Sequence, residues 1–241
     1  MLRTAPPKLS QIQDPIADRL DRVVDEFRRI VAADFEGIAE INDYLLQVRG
    51  KLFRPSLLLL CSEVGGRSRP EAEALAAVVE LIHLSTLVHD DAVDHSVLRR
   101  GLPTLNALWT HQVAIIMGDY LYSRAVTELA ALGDLEAVRV LARAANEMSV
   151  GEMRQLASFD ALDFSEADYY RLIAAKTASL MGAAAIIELG FMLADRDLLT
   201  TGTDVMAGAI TDGVLCFLEP SASPAAATSA RSSGTPRVLR R

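Results

Sequence analysis

The chain has 241 residues, is 51% hydrophobic and only 5% aromatic, and carries a net charge of −8. That suits one large domain, or two small ones, with a core built mainly from Leu and Ala. The acidic balance argues against a general nucleic-acid binder, and it means that an anionic substrate needs a local basic pocket or a metal ion to be held. The two cysteines, Cys61 and Cys216, lack metal-ligand spacing and give no disulfide framework, which fits a reducing compartment. The start, MLRTAPPKLSQIQDP, has no apolar signal-peptide core. The most apolar stretch, Ala183 to Ala194, carries Glu188 and falls short of the ~20 residues a membrane span needs. These features read as a cytoplasmic protein with no transmembrane segment.

Long runs of good helix formers predict an all-α protein, a bundle of long, mostly antiparallel helices. Asp14-Pro15 reads as an N-cap with proline at the first helical position, opening a helix to about Ala33. A second runs from about Ile38 to Val48. Pro55 opens a third, which stops at Gly65-Gly66, and Pro70 opens a fourth that reaches Asp94. After the loop RRGLPT, one helix is expected from Asn106 to about Leu132, ended by Gly133. Asp134 can cap the next, to about Ala157. Ser165 with Asp168 forms a plausible capping box for a last helix through Leu193. No Asn-Gly or Asp-Gly hairpin joins alternating strands. Residues 1–219 are expected to form the helical domain, and residues 220–241, rich in Ala, Ser, Pro and Arg, a disordered tail.

The fourth helix ends in LIHLSTLVHDDAVDHSVLRRG, Leu81 to Gly101. Asp90 and Asp94 are four apart and Asp91 and Asp94 three apart, so the three carboxylates come from neighbouring positions on one side. Such a set destabilises a helix slightly unless a hard divalent cation sits among it. Oxygen-only ligands with room for water and phosphate point to Mg²⁺. A solvated acidic helix end is the plainer alternative. Leu81, Leu84, Leu87 and Val88 make the preceding turns apolar, which fits a helix end at a pocket mouth. Arg99 and Arg100 could pair with phosphate oxygens or lie in a surface loop. Beside the aspartates they suggest a diphosphate substrate.

HDDAVD followed by RRG resembles the first aspartate-rich motif, DDxxD, of the trans-isoprenyl diphosphate synthases, or polyprenyl synthases. Other pieces agree in order. RGKLFRP, Arg49 to Pro55, resembles that family's GGKRxRP, with Leu52 standing where another arginine is usual. ELIH, Glu80 to His83, GDYL, Gly118 to Leu121, GEMRQL, Gly151 to Leu156, and Lys176-Thr177 match further family segments. The resemblance covers roughly residues 10 to 204.

The resemblance implies the isoprenoid synthase fold, helices around a central pocket, and head-to-tail addition of isopentenyl diphosphate to an allylic diphosphate. It implies that Asp90, Asp91 and Asp94 bind Mg²⁺ and through it the allylic diphosphate. Arg99, Lys176 and Thr177 would contact that same group. Lys51, Arg54, His83 and Arg100 would hold isopentenyl diphosphate. Metal and cations would stabilise the departing diphosphate, with no dedicated protein base. A homodimer or heterodimer is expected. Taken from the residues alone, His83 also reads as a core histidine, whereas a lysine at 176 in an apolar helix needs a partner for its charge. Ser85 and Thr86, one turn below Asp90, are small, so medium- or long-chain products are expected.

The family's second aspartate-rich motif has no counterpart here. After Thr200 the acids are Asp204, Asp212 and Glu219, none adjacent to another. The pattern fades near Asp204, as in a truncated or frame-shifted gene, and weak or no activity of the chain alone is expected. Three other readings exist. One is a non-catalytic subunit that binds an intact synthase. Another is an HD-type phosphohydrolase, suggested by His83 and His89-Asp90. The third is a head-to-head synthase, which the DDxxD spacing opposes.

Overall fold

The computed structural model describes residues 8–47, 50–64, 69–158 and 164–193, the last five by backbone alone. The expectations for Val48, Arg49, Gly65-Gly66, Cys216, the pattern change near Asp204 and the tail 220–241 lie outside the described residues. In chain order come α1 (Leu9–Gln13), a 3₁₀ turn (Asp14–Ile16), α2 (Ala17–Ile30), α3 (Glu36–Gln47), α4 (Phe53–Val64) and α5 (Ala72–Val93). A minimal hairpin follows, β1 (Leu98–Arg99) with β2 (Leu102–Pro103). Then come α6 (Leu105–Leu108), α7 (His111–Leu132), α8 (Leu135–Ser158), α9 (Glu166–Ile173), a π-helical turn (Ala174–Ala178) and α10 (Ser179–Leu193).

The all-α bundle forms around α5. Leu75, Ala76, Ala77, Val78, Val79 and Leu81 are all fully buried, so α5 is apolar all round over its middle turns. It packs on α7, α2 and α4, and α10 closes against α4 and α8. Burying each such leucine contributes roughly 1.5–3 kcal/mol. α2 is amphipathic: Leu20, Val23, Val24, Phe27 and Ile30 face the core. α5 meets α7 closely because position 118 is glycine. A Cβ there would lie 2.3 Å from His89 Nε2.

Several helix ends obey local chemistry. Gly133 ends α7 in the left-handed conformation (φ 71°). The Asp134 carboxylate accepts from the backbone N–H groups of Glu136 and Ala137, 3.0 Å each. Ser165 and Asp168 form the expected capping box.

Three local expectations are corrected and a fourth is refined. Asp14 does not cap a helix. The chain is already helical from Leu9, and Pro15 is accommodated in a 3₁₀ turn at the joint between α1 and α2. The helix expected from Asn106 breaks at Trp109. Its ring turns edge-on to Tyr44 of α3, centroids 5.8 Å apart, and Thr110 recaps α7 through the Val113 N–H. Leu98–Pro103 is a hairpin although it contains no Asn-Gly. Arg100 (φ 53°) and Gly101 (φ 82°) supply the two positive φ angles that a primed hairpin turn needs. The last helix runs unbroken to Leu193 as expected, but its turns at Ala174–Ala178 widen to π geometry.

α5 and the stretch Glu166–Glu188 are long and apolar enough to cross a membrane by composition. About half of each is buried inside the bundle, as core helices are.

Candidate functional site

The carboxyl end of α5 separates two clusters. One gathers on Lys176. The π-helical turn carries its side chain toward α8, where Nζ lies 2.6 Å from Glu152 Oε2 and donates to Gln155 Oε1 at 3.1 Å. Asp90 Oδ2 is 3.7 Å from the same nitrogen. π turns recur where a helix must re-aim a side chain. Burial works against the Lys176 charge, but the Glu152 hydrogen bond and the nearby Asp90 outweigh it and hold its pKa above the ordinary value. Asp90 is pushed up, first by burial and then by the negative charges of Glu152 and Asp94. Glu152 Oε1 is buried without a hydrogen-bond partner. Two carboxylates thus share one ammonium, with Asp94, the exposed C-cap of α5, adding a third charge. This excess of oxygen donors fits a hard divalent cation.

The second cluster lies on the hairpin side. Arg99 grips Asp91 with both arms, Nε to Oδ2 at 2.7 Å and Nη2 to Oδ1 at 2.8 Å. That hydrogen bond raises the Arg99 pKa further. Arg100 is exposed, and its guanidinium rests on Gly50. A Cβ at residue 50 would come within 2.7 Å of Nη1. Arg54 is held below its ordinary pKa by burial, and its Nε has no partner. Burial pushes the Glu80 carboxyl up, against the pull of Arg54 and Arg100. His83 is driven down to about 3 by burial and by Arg54, Arg100 and Arg99, so its imidazole stays neutral. A cavity of ≈ 80 Å³ opens beside these groups, between α2, α3, α5 and the hairpin. Its walls are largely apolar, and Glu80, His83, Asp91, Arg99 and Arg100 line its polar side.

The structure therefore divides the expected site. Asp90, Asp94 and Lys176 come together. Asp91 does not join them, because its carboxylate is committed to Arg99 and only 7% of the residue is exposed. Among the described residues no three His, Cys, Asp or Glu side chains form a ready metal cage. Arg99, expected on the allylic diphosphate, spends two donors on Asp91. Thr177 is exposed beside Lys176, and Lys51 is exposed with its carbonyl accepting from Gln13. Ser85 and Thr86 do not line the cavity. Each hydroxyl bonds back to its own helix, Ser85 to Ile82 O and Thr86 to His83 O, both 2.8 Å. Leu84, Leu87 and Val88 form that wall instead.

Glu152, Gln155 and Glu80 had not been singled out as site residues. Their signal was present: Glu152 and Gln155 are three apart on one helix side, and Glu80 sits in an otherwise apolar run.

The polyprenyl synthetase family profile matches residues 36–206. The chain belongs to the polyprenyl synthetase family. It is 36% identical over 177 residues to heptaprenyl diphosphate synthase component 2 of Geobacillus stearothermophilus, covering 73% of this chain and 55% of that one. It is 36% identical over 153 residues to octaprenyl diphosphate synthase of Escherichia coli, covering 64% and 47%. Decaprenyl diphosphate synthase from Rhodobacter capsulatus superimposes with a TM-score of 0.76 at 32% identity, over 80% of this chain and 60% of that one. Polyprenyl synthase from Caulobacter crescentus, complexed with calcium and isoprenyl diphosphate, gives 0.75 at 28% identity, over 83% and 61%. This polyprenyl synthetase chain spans about half the length of these curated relatives.

Proposed function

We propose that the chain is a prenyltransferase subunit that adds isopentenyl diphosphate head-to-tail to an allylic diphosphate and makes medium- or long-chain products. The observation that carries the reading is the meeting of Asp90, Glu152 and Lys176 at the carboxyl end of α5, with Arg54 and Arg100 gathered about His83 of the same helix. Relatives that make heptaprenyl, octaprenyl and decaprenyl diphosphates support the chain-length class.

Asp90, with Glu152 and Asp94 nearby, would hold Mg²⁺. When bound, Mg²⁺ neutralises charge on the departing diphosphate. Lys176 would meet an allylic diphosphate oxygen with its ammonium, and Thr177 would offer a hydroxyl next to it. On the hairpin side, Arg54 and Arg100 with exposed Lys51 supply positive charge for the second diphosphate. Neutral His83 can donate one hydrogen bond without adding charge. Arg99 orders Asp91 through Nε and Nη2, and its remaining donors would serve the allylic diphosphate. α5 is spent on the protein core rather than on lipid, and the reading takes the chain as cytoplasmic.

The exposed side of α7 supports a second polypeptide as partner. Ile115, Ile116, Tyr122 and Val126 are 39–64% exposed, and Ile115, Tyr122 and Val126 share one face. A second copy, or a companion component, would bury them. A purely supporting role beside an intact synthase is the alternative, favoured by the relative that is itself one component of a synthase.

The test is product mass. The purified chain, with Mg²⁺, farnesyl diphosphate and isopentenyl diphosphate, should yield at most a weak signal of elongated prenyl diphosphates, because the second aspartate-rich motif is missing, and Asp90→Ala should abolish it. Product only after a partner chain is added would favour the supporting role. No product in either case contradicts both.

A further inference from the structure

We propose that His95 and His111 form a two-histidine site for a tetrahedral transition-metal ion, with Zn²⁺ as the type, which staples the turn after α5 to the first residue of α7. It stands apart from the prenyl-transfer reading and needs none of its residues.

The chain has four histidines. Two are committed. His83 is kept neutral within the basic cluster, and His89 Nε2 lies 3.2 Å from both Ile115 O and Asp119 Oδ1. The other two, His95 and His111, are exposed, and their rings meet with centroids 5.4 Å apart and planes inclined by 32°. Neither ring makes a hydrogen bond among the described residues.

The spacing carries the inference. A tetrahedral ion holds imidazole nitrogens at about 2.0–2.1 Å, which sets two ring centres roughly 5 Å apart. Ligands at right angles, as on a square-planar or octahedral ion, would draw the centres in to roughly 4.5 Å. The observed 5.4 Å lies on the tetrahedral side. Simple ring stacking also occurs at this distance, so the test must separate contact from coordination.

The backbone on both sides is already fixed. His95 N–H donates to Ala92 O at 3.3 Å, and Ser96 N–H donates to Asp91 O at 3.0 Å. Ser96 O accepts from Thr104 Oγ1 at 2.6 Å and from Asn106 Nδ2 at 2.9 Å. His111 opens α7 directly after Thr110, whose hydroxyl caps the helix through the Val113 N–H. Binding would therefore order little that is not ordered already. No third His, Cys, Asp or Glu joins the pair among the described residues, so water completes the shell. Imidazole suits Zn²⁺, whereas Mg²⁺ keeps to oxygen ligands and leaves the pair empty. An ion held there ties both ends of residues 96–110, the segment that carries Arg99 and Arg100.

Calorimetric titration of the untagged full chain with Zn²⁺ tests this, in excess Mg²⁺ to occupy the carboxylates at the end of α5. A single ion per chain should bind. His95→Asn and His111→Gln should each weaken it by about tenfold or more. Residue 95 has φ 50°, a left-handed conformation that asparagine tolerates, and circular dichroism verifies both folds. A second readout needs no substitution. Diethyl pyrocarbonate should modify both exposed rings, read by peptide mass, and Zn²⁺ but not Mg²⁺ should protect both. Absence of Zn²⁺ binding, parent-like binding by either folded variant, or protection of fewer than both rings overturns the inference.

Discussion

Arg99 holds Asp91 through two parallel hydrogen bonds, 2.7 and 2.8 Å, and so ties the hairpin after α5 to the helix itself. Asp91 is the middle carboxylate of HDDAVD, yet in this state it serves the loop. A bidentate guanidinium is needed for that geometry, and lysine cannot replace it. Arg99→Ala would leave Asp91 buried without its cation. It should destabilise the fold by about 1–3 kcal/mol in urea unfolding. Arg99→Lys should recover less than half of that. A loss below measurement in both variants would show that the pair is ornamental.

The far end of the bundle holds a separate device. Glu188 of α10 is fully buried, neither carboxylate oxygen has a partner, and burial pushes its pKa up to about 7 from 4.5. Arg69 and Arg19 pull it down, while Asp134 and Glu71 push it up. Cys61 of α4, raised by burial to about 11, feels the Glu188 charge as well. A carboxyl whose folded pKa exceeds its unfolded value is best accommodated when protonated. Its contribution is complete below about pH 4.5 and is lost as pH rises to about 7, after which it is constant. Stability should therefore fall with rising pH across that window. Glu188→Gln should remove this component and raise stability at pH 8, read as urea midpoints from pH 4.5 to 8. A parallel pH profile in the variant would count against it.

The apolar stripe on α7 carries a prediction about assembly. Tyr122→Asp or Val126→Asp, both at exposed positions on the shared face, should shift the chain toward monomer in sedimentation velocity while leaving helical content intact. Equal sedimentation of parent and variants would locate the partner surface elsewhere.

Much of this site could be read from the residues in order. HDDAVD, RRG and Lys176-Thr177 pointed to the family, and the family profile over residues 36–206 bears that out. Gly133, Asp134 and Ser165–Asp168 fixed helix ends, because caps are local chemistry. What escaped was decided by tertiary contact. Trp109 breaks a helix by turning to Tyr44, whose hydroxyl donates to Pro103 O at 2.6 Å. The π turn at Lys176 answers to Glu152 and Gln155 on another helix. Helical spacing put Asp90, Asp91 and Asp94 on one side, but it could not show that Arg99 takes Asp91. Nor could it show that Ser85 and Thr86 turn their hydroxyls back to the α5 backbone.

On the proposed reading, Asp90, Glu152 and Lys176 form the cation-dependent seat of the allylic diphosphate. Titrating farnesyl diphosphate into the full chain with and without Mg²⁺ tests it most directly, with Asp90→Asn alongside. Mg²⁺ should tighten binding by about tenfold or more in the parent chain, roughly 1.4 kcal/mol. Asp90→Asn should lose this gain while keeping the metal-free affinity supplied by Lys176. Equal tightening by Mg²⁺ in both proteins would contradict it.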